Sequence, residues 1–220
     1  MQIATDTEIV ELEGQTLRIR KTNHHTPRLL LLIHGLSGDE NSMWVFARDL
    51  PAHYWMVAPR APYKAQPGGY TWRQPETSDR GRPGFEELQS SAQALIGLLD
   101  RYQASAGFDA AQPIDVMGFS QGAALSSILT FLYPDRIHKL SLLAGFVPSG
   151  MQELAAQRPL EGKWVFVAHG TKDETVPVEE ARASIRILEQ AGAQVTYCED
   201  EVGHKVSLTC LHALRRFFAA

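Results

Sequence analysis

The sequence predicts an α/β protein with a mostly parallel sheet, an antiparallel N-terminal hairpin, helices on both faces and no large cap domain. Short apolar runs alternate along the chain with longer segments in which apolar residues recur at the helical period. Because parallel strands need crossover connections, this alternation favours a parallel sheet covered by helices. The first such run, residues 29–33, is continuously apolar, which is typical of a strand buried on both faces.

Size and composition agree with a single domain over residues 1–220. Of the 220 residues, 44% are hydrophobic and 21% are charged, which is the range of globular proteins. No internal repeat and no linker divides the chain, and a single α/β domain of this size is ordinary.

The predicted elements of the first part of the chain begin with the hairpin. Before residue 60 they are strands at residues 7–11 and 17–20, a strand at 29–33, a short helix at 41–50 and a strand at 55–58. The first two strands alternate apolar and polar residues around Glu13-Gly14, which predicts an antiparallel hairpin with one covered face. Pro51 ends the short helix.

A long irregular connection follows at residues 61–84 and is rich in proline and glycine. Connections of this length are usually functional or disordered, and the sequence leaves open whether this one is an ordered lid. Residues 85–106 carry apolar side chains at helical spacing and end at Gly107, which predicts a long helix. The remaining predicted elements are strands at 114–119, 137–143, 164–168 and 195–198 and helices at 123–133, 178–190 and 206–218.

Charge and hydropathy argue against nucleic-acid and membrane partners. The formal net charge is -4, so the chain has no overall basic character for a nucleic acid or an anionic membrane. The longest aliphatic run, residues 29–33, is far shorter than the roughly 20 residues of a membrane-spanning helix. The N-terminus has no basic segment followed by an apolar one, so we expect a cytoplasmic protein.

Cys198 and Cys210 are the two cysteines of the chain. Neither belongs to a pair with zinc-binding or redox spacing, and at most one disulfide can form. For a cytoplasmic protein we expect two reduced, partly buried thiols.

A Gly-x-Ser-x-Gly pentapeptide, residues 118–122, lies between a predicted strand and a predicted helix. A serine on a sharp strand-to-helix turn exposes its hydroxyl, and the flanking glycines leave room for the turn and for close helix packing. The N-terminal amides of the following helix point towards that hydroxyl. Ser120 is therefore the candidate nucleophile, and the alternative is a serine that only caps the helix.

A nucleophilic serine needs a histidine base that is held by a carboxylate. The histidines that follow the pentapeptide are His138, His169, His204 and His212. His204 comes after the strand at 195–198, where the carboxyl ends of parallel strands meet, and is the candidate base. We expect His138 at the opposite end of the sheet and His212 in a packed or surface position on the last helix.

Asp173 follows the strand at residues 164–168 and is the candidate acid. Asp200 and Glu201 are its rivals, but both lie on the same connection as His204. An acid on a separate strand end fixes the pair from two elements of the scaffold. We expect His169 to pack or hydrogen-bond locally beneath this loop.

The oxyanion hole should combine the main-chain amide after the nucleophile with one from the loop after the first buried strand. These amides belong to Gln121 and Leu36, and Gly35 lets the backbone turn inward. A phosphate-binding loop is the alternative, but the segment lacks the Gly-Lys-Ser/Thr ending of a nucleotide cradle.

Together these motifs resemble the phospholipase/carboxylesterase family of α/β-hydrolases, which includes carboxylesterases, lysophospholipases and acyl-protein thioesterases. The matching residues are His34-Gly35-Leu36, Gly118-Phe119-Ser120-Gln121-Gly122, His169-Gly170 with Asp173 and Val176-Pro177, and Gly203-His204-Lys205-Val206. Residues 58–62 and 68–72 also resemble small bacterial esterases of this group. Ser37 and Ala123 stand where members often have glycine, so the oxyanion loops depart from the family pattern.

The resemblance implies an α/β-hydrolase fold and a serine hydrolase without metal or organic cofactor. It implies Ser120 as nucleophile, Asp173 as acid, His204 as base, and Leu36 and Gln121 as oxyanion donors. The expected substrate is a small-molecule ester, or a thioester, with a small or medium acyl chain. The sequence does not constrain the oligomeric state, monomer or homodimer.

Apolar residues near the expected site are candidates for an acyl or alkyl pocket. They are Trp44, Tyr70, Trp72, Phe146, Val147 and Val176. The alternative is that the aromatic side chains simply pack beneath loops. We expect Arg73, Arg80 and Arg82 to form a solvated face rather than an anion clamp.

Two rival functions stay open at this point. A noncatalytic binding protein of the same fold needs no triad, whereas this chain carries all three residue types in order. A peptidase or amidase on the same scaffold is the second rival, and the short chain without a cap argues against it.

Overall fold

The computed structural model describes residues 6–74, 81–109 and 111–220. The strands are β1 (Glu8–Leu12), β2 (Gln15–Arg20), β3 (Arg28–Ile33), β4 (Tyr54–Pro59), β5 (Tyr63–Lys64), β6 (Tyr70–Thr71), β7 (Ile114–Phe119), β8 (Ile137–Leu143), β9 (Trp164–Gly170) and β10 (Gln194–Asp200). The helices are α1 (Trp44–Ala47), α2 (Phe85–Ala106), α3 (Gln121–Leu132), α4 (Gln152–Ala156), α5 (Val178–Gln190) and α6 (Leu208–Ala219), with a 3₁₀ turn at Pro134–Arg136. Part of the 61–84 connection, residues 75–80 with Arg80, lies outside the described residues.

One large sheet organises the molecule, with the strand order β1-β2-β4-β3-β7-β8-β9-β10. Six strands of this sheet run parallel, namely β3, β4, β7, β8, β9 and β10. Strands β1 and β2 join them as an antiparallel hairpin whose second strand pairs with β4. This arrangement confirms the mostly parallel sheet with its N-terminal hairpin. It brings the carboxyl ends of β3, β7, β9 and β10 to the same edge.

Alternation along the central strands supplies a core on each face of the sheet. Leu31 of β3 packs in one cluster with residues of α2, α3 and α5, while Leu30 and Leu32 pack in a second cluster with α1 and α6. The two faces therefore each have an apolar layer, and the helices on both faces are confirmed. Among the described residues, no helix combines the length and hydropathy needed to cross a bilayer.

Helix boundaries follow the capping chemistry of the sequence. The long helix α2 spans the predicted residues, and Gly107 ends it with a left-handed φ of 77°. Helix α6 begins two residues later than predicted, because the Ser207 hydroxyl accepts a hydrogen bond from the Cys210 amide at 3.1 Å and so caps the helix there. Helix α3 begins earlier than predicted, at Gln121, directly after the pentapeptide serine.

Several short elements differ from the prediction. The expected helix at 41–50 contains only the four helical residues of α1. Helix α4 and the β5–β6 hairpin were not predicted, since a two-residue strand or a single helical turn has too few residues to show a period. The hairpin gives part of the 61–84 connection a regular structure.

The expectation of two reduced thiols is wrong in this structure. Cys198 near the end of β10 and Cys210 in α6 form a disulfide with an S–S distance of 2.05 Å. The bonded residues are 12 positions apart and bracket the connection from the last strand to the last helix. Sequence spacing alone gave no sign of the pair because strand and helix bring them together only in the fold.

Candidate active site

Side chains from three strand ends meet at the carboxyl edge of the sheet. Ser120 directly follows β7, Asp173 lies three residues after β9, and His204 lies four residues after β10. Since β8, β9 and β10 are neighbours on one side of β7, their carboxyl-end loops are adjacent. The structure thus brings together three residues that are far apart in the chain.

Ser120 occupies a strained turn between β7 and α3. Its backbone has φ 54° and ψ -117°, a conformation that non-glycine residues rarely adopt. The flanking glycines allow this turn: a Cβ on Gly118 would lie 2.3 Å from the Gly122 carbonyl oxygen, and one on Gly122 would lie 2.1 Å from that of Ile33. Ser120 precedes α3 without making a side-chain cap bond, which argues against the capping alternative.

A chain of two hydrogen bonds links the three side chains. His204 Nδ1 lies 2.7 Å from Asp173 Oδ2, and His204 Nε2 lies 3.0 Å from Ser120 Oγ. An ionised carboxylate only accepts, so the ring proton is on Nδ1 and Nε2 is left to accept the serine proton. The side chain of His204 is 25% exposed, whereas that of Asp173 is fully buried. In this geometry His204 Nε2 can accept the proton of the Ser120 hydroxyl.

The Asp173 carboxylate is held from both sides. Its Oδ1 accepts hydrogen bonds from the amides of Thr175 and Val176, each at 2.9 Å. His169 is buried beside it and donates Nε2–H to the Val176 carbonyl at 2.7 Å, with Asp173 Oδ2 at 3.5 Å. The local bond of His169 beneath this loop is therefore confirmed. These contacts fix the direction in which Asp173 meets the imidazole.

Leu36 and Gln121, the two residues whose main-chain amides are the oxyanion candidates, line the same cavity as Ser120. Within residues 6–74, 81–109 and 111–220, neither amide has a hydrogen-bond acceptor. The close approach of the Leu36 loop depends on Gly35, because a Cβ there would lie 3.2 Å from the Cβ of Ser120. Two unpaired N–H groups beside a serine hydroxyl can stabilise an oxyanion that forms there.

A cavity of about 430 Å³ opens onto Ser120. Its described lining is partly apolar, with Leu36, Ala65, Pro83, Phe146 and Val176, and partly polar, with Lys64, Gln66, Thr71, Arg73, Arg82, Gln121 and Thr175. Leu36 is 60% exposed, so the apolar wall continues to the surface of the described protein. Val147 lines the adjoining groove together with Phe146.

Three aromatic residues expected in the pocket do not line this cavity in the described structure. Trp44 is buried in the α1–α6 cluster and donates its indole N–H to the Glu40 carbonyl. Trp72 is buried on the other face and donates its indole N–H to the His34 carbonyl at 2.8 Å. The Tyr70 ring lies under the Arg60 guanidinium, 4.9 Å away. The three side chains therefore pack against other parts of the fold and do not form the expected pocket wall, in line with the packing alternative.

His34 is a structural residue of the oxyanion loop that the sequence did not single out for its side chain. Its Nε2 accepts the Ala61 amide at 3.0 Å and its Nδ1–H donates to the Gly35 carbonyl at 2.7 Å. Burial is the largest cause that lowers the pKa of this imidazole, so His34 is neutral near pH 7. The signals in the sequence were its position at the end of a buried strand and its place in the His34-Gly35-Leu36 motif.

The other histidines and arginines considered in the sequence analysis do not belong to the Ser120–His204–Asp173 series. His138 bonds to Asp115 at 2.8 Å near the amino end of β8, and His212 is exposed on α6. Arg73 is buried and bonds through Nε to Glu87 at 3.0 Å, which differs from the expected solvated face. Arg82 is exposed and pairs with Glu180 at 2.8 Å, in line with a solvated position.

Comparison with known proteins gives the family of the chain. The model of the Phospholipase/Carboxylesterase family matches residues 15–220. The chain belongs to this family. Acyl-protein thioesterase 1 of Kluyveromyces lactis is 26% identical to this family member over 193 residues, which cover 79% of the chain and 82% of that protein. The carboxylesterase SOBER1 of Arabidopsis thaliana is 32% identical over 95 residues, which cover only 41% of its length.

Solved structures share the fold of this phospholipase/carboxylesterase family member. The carboxylesterase of Bacillus cereus superposes with a TM-score of 0.82 and 23% identity over 94% of each chain. The carboxylesterase of Mesorhizobium loti gives a TM-score of 0.81 with 20% identity, over 98% of this chain and 99% of that one. These likenesses show the α/β-hydrolase fold.

Proposed function

We propose that this family member is a serine hydrolase that cleaves carboxylic ester bonds of small or medium-chain acyl substrates, with thioesters as a second substrate class. The observation that carries the proposal is the hydrogen-bonded series of Ser120, His204 and Asp173, with distances of 3.0 Å and 2.7 Å. Nucleophile, base and orienting acid are the three groups that acyl transfer to a serine requires. The substrate would be a small molecule, and no metal or organic cofactor takes part in this chemistry.

The first half of the reaction forms an acyl-enzyme. His204 Nε2 takes the Ser120 proton while Oγ attacks the carbonyl carbon of the ester. The carbonyl oxygen becomes an oxyanion, and the amides of Leu36 and Gln121 donate to it, each worth about 2.7–4 kcal/mol. The tetrahedral intermediate then expels the alcohol, or the thiol of a thioester, which takes the proton from His204. Asp173 stabilises the imidazolium throughout and is not itself protonated.

The second half of the reaction regenerates the enzyme. Water attacks the acyl carbon as His204 Nε2 removes one of its protons. When the second tetrahedral intermediate collapses, the His204 imidazolium gives this proton to Ser120 Oγ and the carboxylic acid is released. The exposure of the His204 side chain, 25%, gives water access to the base. The apolar wall of Leu36, Phe146 and Val176 is the proposed site for the acyl or alkyl part.

A substrate panel tests this proposal. Wild-type protein is assayed with p-nitrophenyl esters from acetate to octanoate, with acyl-CoA thioesters and with lysophospholipids, and Ser120→Ala is the control. We expect saturable ester hydrolysis by the wild type and none above background by the control. Equal rates for both proteins on every substrate would overturn the proposal.

The noncatalytic rival has one observation in its favour. A rice relative, 25% identical over 126 residues, carries the name probable inactive carboxylesterase. Family membership alone therefore does not establish turnover in this chain. The same panel separates the two functions, because a binding protein would hydrolyse none of the substrates, and p-nitroanilide analogues separate an amidase from an esterase.

A cytoplasmic location stays a prediction. The bonded pair Cys198–Cys210 is the observation against it, because disulfides are rare in cytosolic proteins.

A further inference from the structure

We propose that the segment Tyr70-Thr71-Trp72 positions the oxyanion hole by holding the Leu36 loop and the Ser120 turn at a fixed separation. The inference rests on the proposed function, because it concerns the same two amides. Thr71 and Trp72 would act as positioning residues through the Leu36 loop and the Gln121 side chain. Thr71 also lines the cavity that opens onto Ser120, whereas Trp72 does not.

The segment is hydrogen-bonded to the loop that carries the Leu36 amide. Ser37 N–H donates to the Tyr70 carbonyl and Tyr70 N–H donates to the Gly38 carbonyl, both at 2.9 Å. The indole N–H of Trp72 donates to the His34 carbonyl at 2.8 Å. The three hydrogen bonds thus hold the loop on both sides of Leu36, at His34 before it and at Ser37 and Gly38 after it.

Close packing keeps this contact in register. Ser37 has a positive φ of 63°, and a Cβ on Gly69 would lie 2.1 Å from the Ser37 carbonyl oxygen. The loop and the hairpin that ends at β6 therefore touch backbone to backbone. Any shift of the hairpin is transmitted to the loop.

The same segment is hydrogen-bonded to the other oxyanion donor through its side chain. Gln121 Oε1 accepts the Trp72 main-chain amide at 3.0 Å, and Gln121 Nε2 donates to Thr71 Oγ1 at 3.0 Å. Thr71, Trp72 and Gln121 are all buried, with exposures of 5%, 3% and 7%. Solvent therefore has little access to replace these bonds.

The hydrogen bonds of residues 70–72 connect the Leu36 loop to the start of α3, the two parts of the fold that carry the oxyanion amides. Leu36 follows β3, and Gln121 begins α3. An oxyanion donor acts only when it lies about 2.7–3.1 Å from the oxyanion, and a displacement of about 1 Å can cost about 10²-fold in rate. Hydrogen bonds that set the distance between the two amides stabilise the transition state, in which the oxyanion forms, more than the bound substrate.

Two substitutions that each remove one hydrogen-bonding group of this segment test the inference; the Thr71 hydroxyl bonds to the Gln121 side chain and also accepts the Arg73 amide at 3.2 Å. Trp72→Phe keeps a ring but loses the donor to His34, and Thr71→Val keeps the shape but loses the hydroxyl bonded to Gln121. For each variant, kcat is measured per active site titrated with a fluorophosphonate, so that misfolded protein is not counted. We expect kcat to fall about 10- to 100-fold, with KM for Trp72→Phe within about twofold of wild type. Affinity for a trifluoromethyl ketone inhibitor, which forms a tetrahedral adduct, should fall in parallel with kcat.

Trp55→Phe is the matched control. The Trp55 indole N–H donates to the Tyr102 hydroxyl at 2.8 Å, on a strand and a helix away from the two amides. This variant loses a bond of the same kind, so its stability should fall while kcat per titrated site stays within about twofold.

Three outcomes overturn the inference. They are an unchanged kcat in Thr71→Val and Trp72→Phe, a change confined to KM, or a fall in kcat that Trp55→Phe shows equally. If Trp72→Phe does not fold, kcat and inhibitor affinity of Thr71→Val alone test the inference. Failure of the proposed function looks different, because the wild type itself would then neither hydrolyse esters nor titrate with the fluorophosphonate.

Discussion

Asp173 Oδ2 accepts a hydrogen bond from His204 Nδ1 at 2.7 Å, while the other oxygen of the same carboxylate accepts two main-chain amides. The carboxyl group therefore has no freedom to rotate away from the imidazole without losing those amides. This fixes the ring proton on Nδ1 and leaves Nε2 facing Ser120 Oγ. The orientation of the Asp173 carboxylate therefore determines which tautomer of His204 the site holds.

Asp173→Asn should inactivate the site without unfolding it. The amide oxygen can still accept the Thr175 and Val176 amides, but the NH₂ group would then face His204 and favour the tautomer with the proton on Nε2. That tautomer cannot accept the serine proton, so we expect kcat to fall about 10⁴-fold. Steady-state ester hydrolysis measures it, with circular dichroism to verify folding.

Glu201→Gln is the control for that substitution. Glu201 was a rival acid in the sequence, but in the structure it is exposed and pairs with Lys172 at 2.9 Å. Its kcat should remain within about twofold of wild type. A large loss in Glu201→Gln with little loss in Asp173→Asn would reverse the assignment.

The sequence predicted those parts of the site that depend on chain order. Ser120, Asp173 and His204 each follow a strand, and parallel strands necessarily bring their carboxyl ends to one edge. Chain order does not predict whether the aromatic residues line the cavity. Tyr70 and Trp72 lie on the long connection at residues 61–84, and whether their rings line the cavity depends on tertiary contacts, here with the His34 carbonyl and the Arg60 side chain.

Gly122→Ala should destabilise the protein strongly. An alanine Cβ would lie 2.1 Å from the Ile33 carbonyl oxygen and 2.5 Å from that of His34, so β3 and α3 must move apart. Overpacking of this kind typically costs about 1–3 kcal/mol in the free energy of unfolding, and here backbone atoms must give way. Urea denaturation followed by tryptophan fluorescence measures the loss.

Gly97→Ala provides the opposite expectation in the same assay. Gly97 lies within α2, and the nearest atom to an added Cβ is the flexible end of Arg101 at 3.4 Å. Alanine is favoured over glycine inside a helix by about 0.5–1 kcal/mol, so the urea midpoint should rise. Equal midpoints for both variants would contradict the packing described at the Ser120 turn.

His34 should make stability fall as the pH is lowered from about 6.5. Burial lowers its pKa in the folded state, so below its unfolded value of about 6.5 the unfolded chain binds a proton that the folded chain does not. Unfolding is then favoured by up to about 1.4 kcal/mol per pH unit until the lower folded pKa is reached. Urea midpoints between pH 7.5 and 5 measure this slope.

His34→Gln removes the titrating group and isolates its contribution. We expect a less stable protein at pH 7.5, since the Ala61 amide and Gly35 carbonyl lose their partner, but a shallower dependence on pH. An unchanged pH slope in this variant would show that His34 is not the group that titrates.

The Cys198–Cys210 disulfide should stabilise the β10–α6 connection. Closing a loop of 12 residues is worth about 3 kcal/mol in the chain-entropy model. For a domain of this size, loss of that contribution lowers Tm by roughly 6–12 °C. Differential scanning calorimetry with and without reductant measures the shift, and Cys198→Ser/Cys210→Ser should be insensitive to reductant. Two free thiols in denatured, unreduced protein would contradict the bonded pair.

Short-range sequence patterns could not foresee this pair or the β5–β6 hairpin. Cys198 and Cys210 lie on a strand and a helix whose separation depends on how α6 packs on the sheet. The hairpin is hydrogen-bonded to residues 37 and 38, which are distant in sequence. Periodicity identified the long helix α2 over its full length because its own apolar face carries the information.

Covalent labelling of the serine tests the central claim most directly. Wild-type protein, Ser120→Ala and His204→Ala are incubated with a fluorophosphonate, digested and analysed by mass spectrometry. The account predicts one label per wild-type molecule, on Ser120, no label at that position in Ser120→Ala, and labelling slowed by several orders of magnitude in His204→Ala. Folded wild-type protein that stays unlabelled, or that carries the label on another serine, would contradict it.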